Sequence, residues 1–494
     1  MKERLGASIA SGAVYTYASL VLMKVILLIN SVVIARWLGP ENLGMYSIFS
    51  QALNFLLAFG LLGLPLAAGR FVAEYHGSDL GKLRETLSSA LIFCLAVSGL
   101  LGIGLFTFAN KVALGIYGEP GLRPLFRIGA VTIVFSLLSS LLRSVLQGLR
   151  EIELLARLNV ALGIAGAALT LVLVMGFTLK GVAIRDLSVA FLGSAAMFFA
   201  MSKALSASGI SPGPVFSVAA MRRLFSLAGP LFLGSVMIFG VDLFIRSHLA
   251  LKCGFSSAGF FSISDNFFQM VYFIPQAIAM PLLPIITRIY SAEPQNFPRH
   301  AARVIKVTGA IALPAAVALA LAAGPAVRLL YGEAYAASMS VVFLVVFSAA
   351  VVSPAYIVGQ LLTGAGLGMP ILLLSALQAC VNAAAGYLLI NAYGLDGLGM
   401  AVVVSAFFNY SLSGTFVIKR LGLKRSEMRF GTYQLSVIMA GAAAYATTRF
   451  LAGPLFAVSS FALPAAMAAA QYLSLSEDEK GLLRETAGKV FARR

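Results

Sequence analysis

The chain has 494 residues, of which 60% are hydrophobic and only 11% charged, and its mean hydropathy is +0.93. No water-soluble domain carries such a composition, so the protein is expected to be integral to a membrane. The formal net charge of +17 reads as membrane topology, since the cations are spread over many short segments where a nucleic-acid-binding surface would gather them into one patch, and no nucleic-acid partner is expected.

Apolar runs of about 20 residues, long enough to cross roughly 30 Å of hydrocarbon, recur along nearly the whole length. In chain order they fall at 10–35, 44–67, 87–109, 125–147, 155–177, 182–202, 226–249, 258–285, 304–327, 338–361, 370–391, 397–418, 431–450 and 453–473. Backbone polar groups in lipid are paired within their own segment, and runs of this length do not suit the short alternating strands of a barrel. The predicted fold is therefore all-α, a polytopic membrane protein of about 14 transmembrane helices. The first run is too long for the apolar part of a signal peptide and leads to no small-residue cleavage site, so it is read as a retained span.

Cytoplasmic loops retain the excess of Lys and Arg. With the N-terminus inside, the inner segments hold 25 of the 36 cations and the outer ones 10, while Lys24 lies within span one. Both termini are expected on the cytoplasmic side of the cell membrane.

Span one is followed by a motif that returns later in the chain. Gly39–Ile48 reads GPENLGMYSI and Gly254–Ile263 reads GFSSAGFFSI, an offset of 215. IYGE at Ile116–Glu119 recurs as LYGE at Leu330–Glu333, an offset of 214. Two matches in register indicate a duplicated unit. Six spans per unit is an even number, so both units enter the membrane from the same side and the repeat is parallel. The expected division is a six-helix lobe over 1–205, a second over 206–425, two further spans over 426–475 and a cytoplasmic tail over 476–494. Ser476 with Glu479 forms a capping box ahead of a short surface helix in that tail.

Polar residues inside the spans single out candidate binding residues, because a polar side chain facing lipid is costly and turns toward protein or water. Lys24 stands near the middle of span one, with Tyr17 and Ser31 seven residues to either side, and Asn30 on the same span joins the set. The cation is read either as a contact for an anionic group of the substrate or as half of a structural ion pair with Asp242 or Asp265. Span two carries Ser47, Ser50, Gln51 and Asn54 on one face, and span eight carries Ser262, Asp265, Asn266 and Gln269 at the corresponding places, with Gln276 beyond. These stripes line a mid-membrane cavity or else bond helix to helix within each lobe. Asp242 and Arg246 in span seven are four apart and are expected to pair. Arg70 and Arg143, near the inner ends of spans two and four, are read as interface anchors, with substrate contact as the alternative. Gly60, Gly63 and Pro65 close span two, and Pro275, Pro281 and Pro284 punctuate the matching end of span eight, marking helix ends or hinges.

Catalytic classes are disfavoured. Cys94, Cys253 and Cys380 have no metal or redox spacing, and His76, His248 and His300 are scattered. No phosphate-binding loop, nucleophile elbow or zinc helix is present. No loop is long enough for a nucleotide-hydrolysing or glycosyl-transferring domain. No cofactor is expected, and energy would come from an ion gradient carried by H+ or Na+, from the membrane potential or from the gradient of the substrate. Rocking of one lobe against the other would expose a midplane site to each side in turn.

Three segments give the chain a family resemblance. They are ARWLGPENLGMYSI (Ala35–Ile48), FGVDLFIRSHLA (Phe239–Ala250) and the run from Ala258 to Tyr290. With them the chain resembles the polysaccharide transporters, the O-antigen and oligosaccharide flippases of the multidrug/oligosaccharidyl-lipid/polysaccharide flippase superfamily. The resemblance implies a V-shaped pair of six-helix bundles that moves a polyprenyl-diphosphate-linked oligosaccharide across the cytoplasmic membrane, with membrane lipids as its surroundings and a cationic cavity for the sugar and diphosphate. Lys24 is the match to the cationic first-span position. The chain departs from lipid II flippases in presenting a single cation deep in the membrane. A cation-coupled drug or metabolite exporter and a peptidoglycan-precursor or spore-envelope flippase share the same pattern.

Overall fold

The structure, a computed structural model, describes residues 2–76, 78–207, 215–292, 295–421, 430–450, 453–475 and 480–481. Every regular element among them is helical. In chain order they are α1 (Lys2–Leu61), α2 (Leu64–Tyr75), α3 (Leu80–Asn110), α4 (Leu122–Gly148), α5 (Ile152–Ala207), α6 (Val218–Cys253), α7 (Phe255–Ala292), α8 (Phe297–Tyr331), α9 (Met339–Gly364), α10 (Gly368–Leu421), α11 (Phe430–Phe450) and α12 (Gly453–Ser474). A π-helical turn, Lys111–Ile116, follows α3, and a 3-10 helix, Glu333–Ser338, leads into α9. Eight stretches among the described residues are long and apolar enough to cross a membrane. The protein is a multi-pass membrane protein. Ser476 and Glu479, the capping box expected in the tail, lie outside the described residues.

Three of the long helices are each interrupted at one residue: α1 at Gly39 (φ 72°, ψ 169°), α5 at Thr178 (φ 47°, ψ −123°) and α10 at Gly394 (φ 58°, ψ −128°). Each therefore consists of two helical segments joined by a tight turn. Thr178 and Gly394 stand 216 positions apart and adopt nearly the same angles, those of the first central residue of a type II′ turn. This is a third echo between the halves. The sequence hides it, because TLKG and GLDG share only Leu179 with Leu395 and Gly181 with Gly397.

The two halves differ where glycine and proline cluster. Leu62 and Gly63 take positive φ, 48° and 72°, and separate α1 from α2, whose second residue is Pro65. The matching region of the second half does not break, and α7 continues as one helix across Pro275, Pro281 and Pro284. Glycine at the first site permits a left-handed residue, whereas proline only removes a donor and bends the helix.

The chain divides into two compact units, Met1–Gly259 and Phe260–Arg494. In the first, α2, α3 and α4 enclose a core that includes Leu64, Val72, Leu83, Leu87, Leu141 and Val145, all nearly inaccessible. In lipid, such a core holds through close van der Waals packing, since apolar tails compete equally for apolar side chains. Caps fix its edges. The Asp79 side chain accepts from the Lys82 amide at the start of α3 (2.9 Å), and Ser217 caps α6 while its own amide donates to Ser89 Oγ of α3 (2.9 Å). Helix α6 packs on α1, α2 and α3, and so belongs with the first unit, whereas the division expected from the sequence opens the second lobe with it.

In the second unit, α8 and α9 form the most buried pair, with Ala316, Val317, Val345 and Val346 almost wholly enclosed. Polar side chains join the two segments of α10: Ser405 Oγ donates to Asn382 Oδ1 (3.1 Å), and Asn409 donates to Gln378. The tyrosines of the IYGE and LYGE motifs each hold a polar neighbour. Tyr117 OH lies 2.7 Å from Ser247 Oγ, and Tyr331 OH accepts from Asn266 Nδ2 at 3.3 Å.

Candidate functional site

A cavity of about 830 Å3 opens within the first unit, lined by both segments of α1, by α4 and by both segments of α5. Helical spacing explains how each segment delivers its polar residues. Lys24 and Asn30 come from the first segment of α1, and Tyr46, Ser50 and Asn54 from the second at steps of four. On α4, Ser136, Ser139, Ser140 and Arg143 sit at i, i+3, i+4 and i+7, which places them on one face. Asn159 and Gly163 come from the first segment of α5, and Arg185, Asp186, Val189 and Gly193 from the second. The small residues matter as well, since a Cβ on Gly163 would lie 2.7 Å from the Met23 sulfur and one on Gly193 3.4 Å from Ser139 Oγ, so both glycines let α5 pack closely against its neighbours.

The charges on the wall are Lys24, Arg143 and Arg185 against Asp186, an excess of two positive charges. Asp186 is held on both oxygens. Arg185 Nη1 donates to Oδ1 at 2.6 Å, and Tyr46 OH donates to Oδ2 at 2.9 Å, while Arg185 Nε reaches the Gly166 carbonyl at 3.4 Å. Side chains of Arg185 and Asp186 are 14% and 19% exposed, so this pair is shielded from water and its two partners depend on each other. Asn30 is 6% exposed, and its Oδ1 has no hydrogen-bond donor among the described residues. A buried acceptor of this kind invites a ligand that brings an N–H or O–H.

Of the residues that the sequence singled out, Lys24, Asn30 and Asn54 line this cavity. Gln51 stands beside them on α1 with Oε1 buried, and Ser47 is buried one turn earlier. The side chain of Tyr17 lies outside the described residues. Asp242 and Arg246 form the expected pair, Arg246 Nη2 to Asp242 Oδ2 at 3.6 Å, on α6 and away from the cavity wall. Arg246 is only 5% exposed, so it does not reach for an interface as a long cation near a helix end could. In the second unit, Asp265 and Asn266 are half-buried and Gln269 exposed, and Asn266 is engaged with Tyr331. Neither of the two cavities described in that unit includes any of the three.

Arg143, read as an interface anchor or a substrate contact, lines the cavity wall from α4, on the same face as the serines before it. Lys24 is also not alone, since Arg143 and Arg185 join it around a single chamber. Arg185 and Asp186 were missed because adjacent residues near a span end look like a loop pair. The Ser136/Ser139/Ser140/Arg143 ladder was a legible signal.

A family model described as polysaccharide biosynthesis protein matches residues 29–340, which takes in the whole cavity wall except Met23, Lys24, Ile26 and Leu27. The chain belongs to this family. Among similar proteins, the lipid III flippase of Escherichia coli (strain K12) is 23% identical over 60% of this chain and 71% of its own length. The succinoglycan biosynthesis transport protein ExoT of Rhizobium meliloti (strain 1021) is 24% identical over 68% of this chain and 65% of its own. Among solved structures, the lipid II flippase MurJ in an inward closed conformation aligns with a TM-score of 0.72 at 15% identity, covering 93% of this chain and 98% of that one. A multidrug resistance MATE family transporter of the MOP superfamily, in an inward-facing conformation, aligns with a TM-score of 0.70 at 15% identity over 83% and 98%. The fold is that of these transporters.

Proposed function

We propose that this polysaccharide biosynthesis family member flips a lipid-linked oligosaccharide, carried on a polyprenyl diphosphate, across the cell membrane by alternating access. The observation that carries the reading is the cationic cavity of the first unit, where Lys24, Arg143 and Arg185 outnumber Asp186. A charged sugar headgroup cannot cross hydrocarbon unaided, and a polar chamber carries it while the lipid tails stay in the bilayer. A phosphate oxygen about 4 Å from a cation gains roughly 4 kcal/mol at an effective dielectric near 20, enough to offset part of the lost hydration. Lys24 and Arg143, which line the chamber beside its asparagines and serines, are the cations we assign to the diphosphate. Asn30, Asn54, Asn159 and the α4 serines would meet sugar hydroxyls, with the Asn30 carbonyl accepting from one of them. In the second half, Asp265, Asn266 and Gln269 would serve the same cargo.

Both termini would face the cytoplasm, with two six-span repeats followed by two further spans. No chemical bond of the cargo changes in this reading, and the drive comes from an ion gradient carried by H+ or Na+, from the membrane potential or from the gradient of the cargo itself. The relatives named above as lipid III flippase and succinoglycan transport protein support the choice of cargo class. A cation-coupled drug exporter is disfavoured by the sign of the cavity.

Reconstitution in proteoliposomes tests the proposal. Lys24→Ala and Arg143→Ala should each cut flipping of a polyprenyl-diphosphate oligosaccharide by more than about tenfold, the loss expected for a contact of some 1.4 kcal/mol or more, with the protein still folded. Equal transport of the free soluble sugar would falsify the reading, as would loss of folded protein in both variants.

A further inference from the structure

We propose that the second unit holds a binding slot for a zwitterionic phospholipid whose headgroup ends in a primary amine. The slot has a volume of about 740 Å3 and lies between α8, α9, the turn of α10 and α11. That is within the roughly 300–1,000 Å3 of sites that take one small ligand. Leu321, Phe343, Leu344 and Met400 make its walls apolar, as an acyl chain or glycerol backbone requires. Phe343 and Tyr445 pack edge to face with centroids 6.1 Å apart, and Tyr445 is 58% exposed at the rim.

The charges at this slot form a pattern that a bulk lipid surface does not need. Arg328 lines it, with Nε 3.3 Å from Glu333 Oε2. Asp396 lines it too, and Ser340 Oγ donates to Asp396 Oδ1 at 2.6 Å. Asp396 sits in the turn that follows Gly394; in the first unit, the turn after Thr178 has Lys180 at that place. The acidic residue is therefore particular to this half.

One guanidinium, which carries Glu333 beside it, and one carboxylate line an apolar slot. A phosphate pairs with the Arg328 fork. An ammonium brings three N–H donors, which Asp396 accepts. A headgroup with only negative charge would leave Asp396 facing its own sign. A choline headgroup has the charge but no N–H to give.

The chain has one tryptophan, Trp37, which makes a fluorescence test direct. Full-length protein carrying Trp37→Phe and Tyr445→Trp is placed in phosphatidylcholine bilayers with increasing amounts of a brominated-chain phosphatidylethanolamine, phosphatidylcholine or phosphatidylglycerol. Brominated phosphatidylethanolamine should reach half-maximal quenching at about tenfold lower mole fraction than the other two, the margin of one charge-assisted contact. Asp396→Asn should remove that advantage. Equal quenching by all three lipids overturns the proposal, and so does preference for phosphatidylglycerol or phosphatidylcholine. Phe343→Trp replaces the reporter if Tyr445→Trp does not fold, with the same outcomes.

Discussion

Gly44 and Gly259 occupy each other's missing side-chain space. A Cβ on Gly44 would lie 1.7 Å from the Phe255 carbonyl oxygen, and a Cβ on Gly259 would lie 2.0 Å from the Pro40 carbonyl oxygen. Pro40 and Phe255 are themselves 215 positions apart, so the two echoed motifs pack backbone to backbone in a reciprocal contact. Ile48, Ala250 and Ala258 seal it, with Tyr117 and Phe255 alongside. Close approach of this kind is what small residues supply between helices in lipid.

Gly44→Ala and Gly259→Ala should therefore each destabilise the first unit by about 1–3 kcal/mol, the usual cost of overpacking, or by more because the obstacle is backbone. Both substitutions pry apart one contact, so the double variant should fall well short of the sum. Thermal unfolding in detergent measures this. Additive losses would mean that the two glycines act separately.

Arg185 and Asp186 should behave as a unit. Removing one partner of a buried ion pair typically costs about 3–5 kcal/mol because the other charge is stranded, so Arg185→Ala or Asp186→Ala is expected to lower folded yield sharply. The double variant should recover much of it. Tyr46→Phe, which deletes the 2.9 Å bond to Asp186, should cost about 1.5–3 kcal/mol, as for hydrogen bonds to charged groups. Phe261, its counterpart in the second half, shows that the position accepts a ring without a hydroxyl.

Thr178 is β-branched yet has φ 47°, a conformation that costs of the order of 1–3 kcal/mol outside glycine. Thr178→Gly should raise the melting temperature, following the example of Gly394 in the same turn of the second half. Gly394→Thr should lower it. No change in either variant would show that the surrounding helices set the turn at no local cost.

The Asp79 carboxyl titrates below its ordinary value of 3.8, first because it accepts from the Lys82 amide and then because the Lys82 side chain lies 3.1 Å away. A depressed carboxyl stabilises the folded state above its unfolded pKa and loses that contribution as pH falls through the folded one. Protection of the Lys82 amide against deuterium exchange, measured relative to its intrinsic rate, should thus be greatest at neutral pH and should fall below about pH 4. Asp79→Ala should abolish that pH dependence.

The amino-acid sequence alone determined the class of molecule and its all-helical, membrane-spanning character, and it displayed the recurring motifs. Hydropathy and helical period are local properties, and motifs such as Gly39–Ile48 recur in order. It also marked Lys24, Asn30 and Asn54, since polar residues within apolar runs stand out whatever lies around them. Tertiary structure alone decided that Arg143 and Arg185 face the same chamber, that Asp186 is bound by Tyr46 from a different helix, and that Gly44 meets Gly259. Those relations join segments as far apart as 215 positions, and a single helix face does not reveal which other face it will meet.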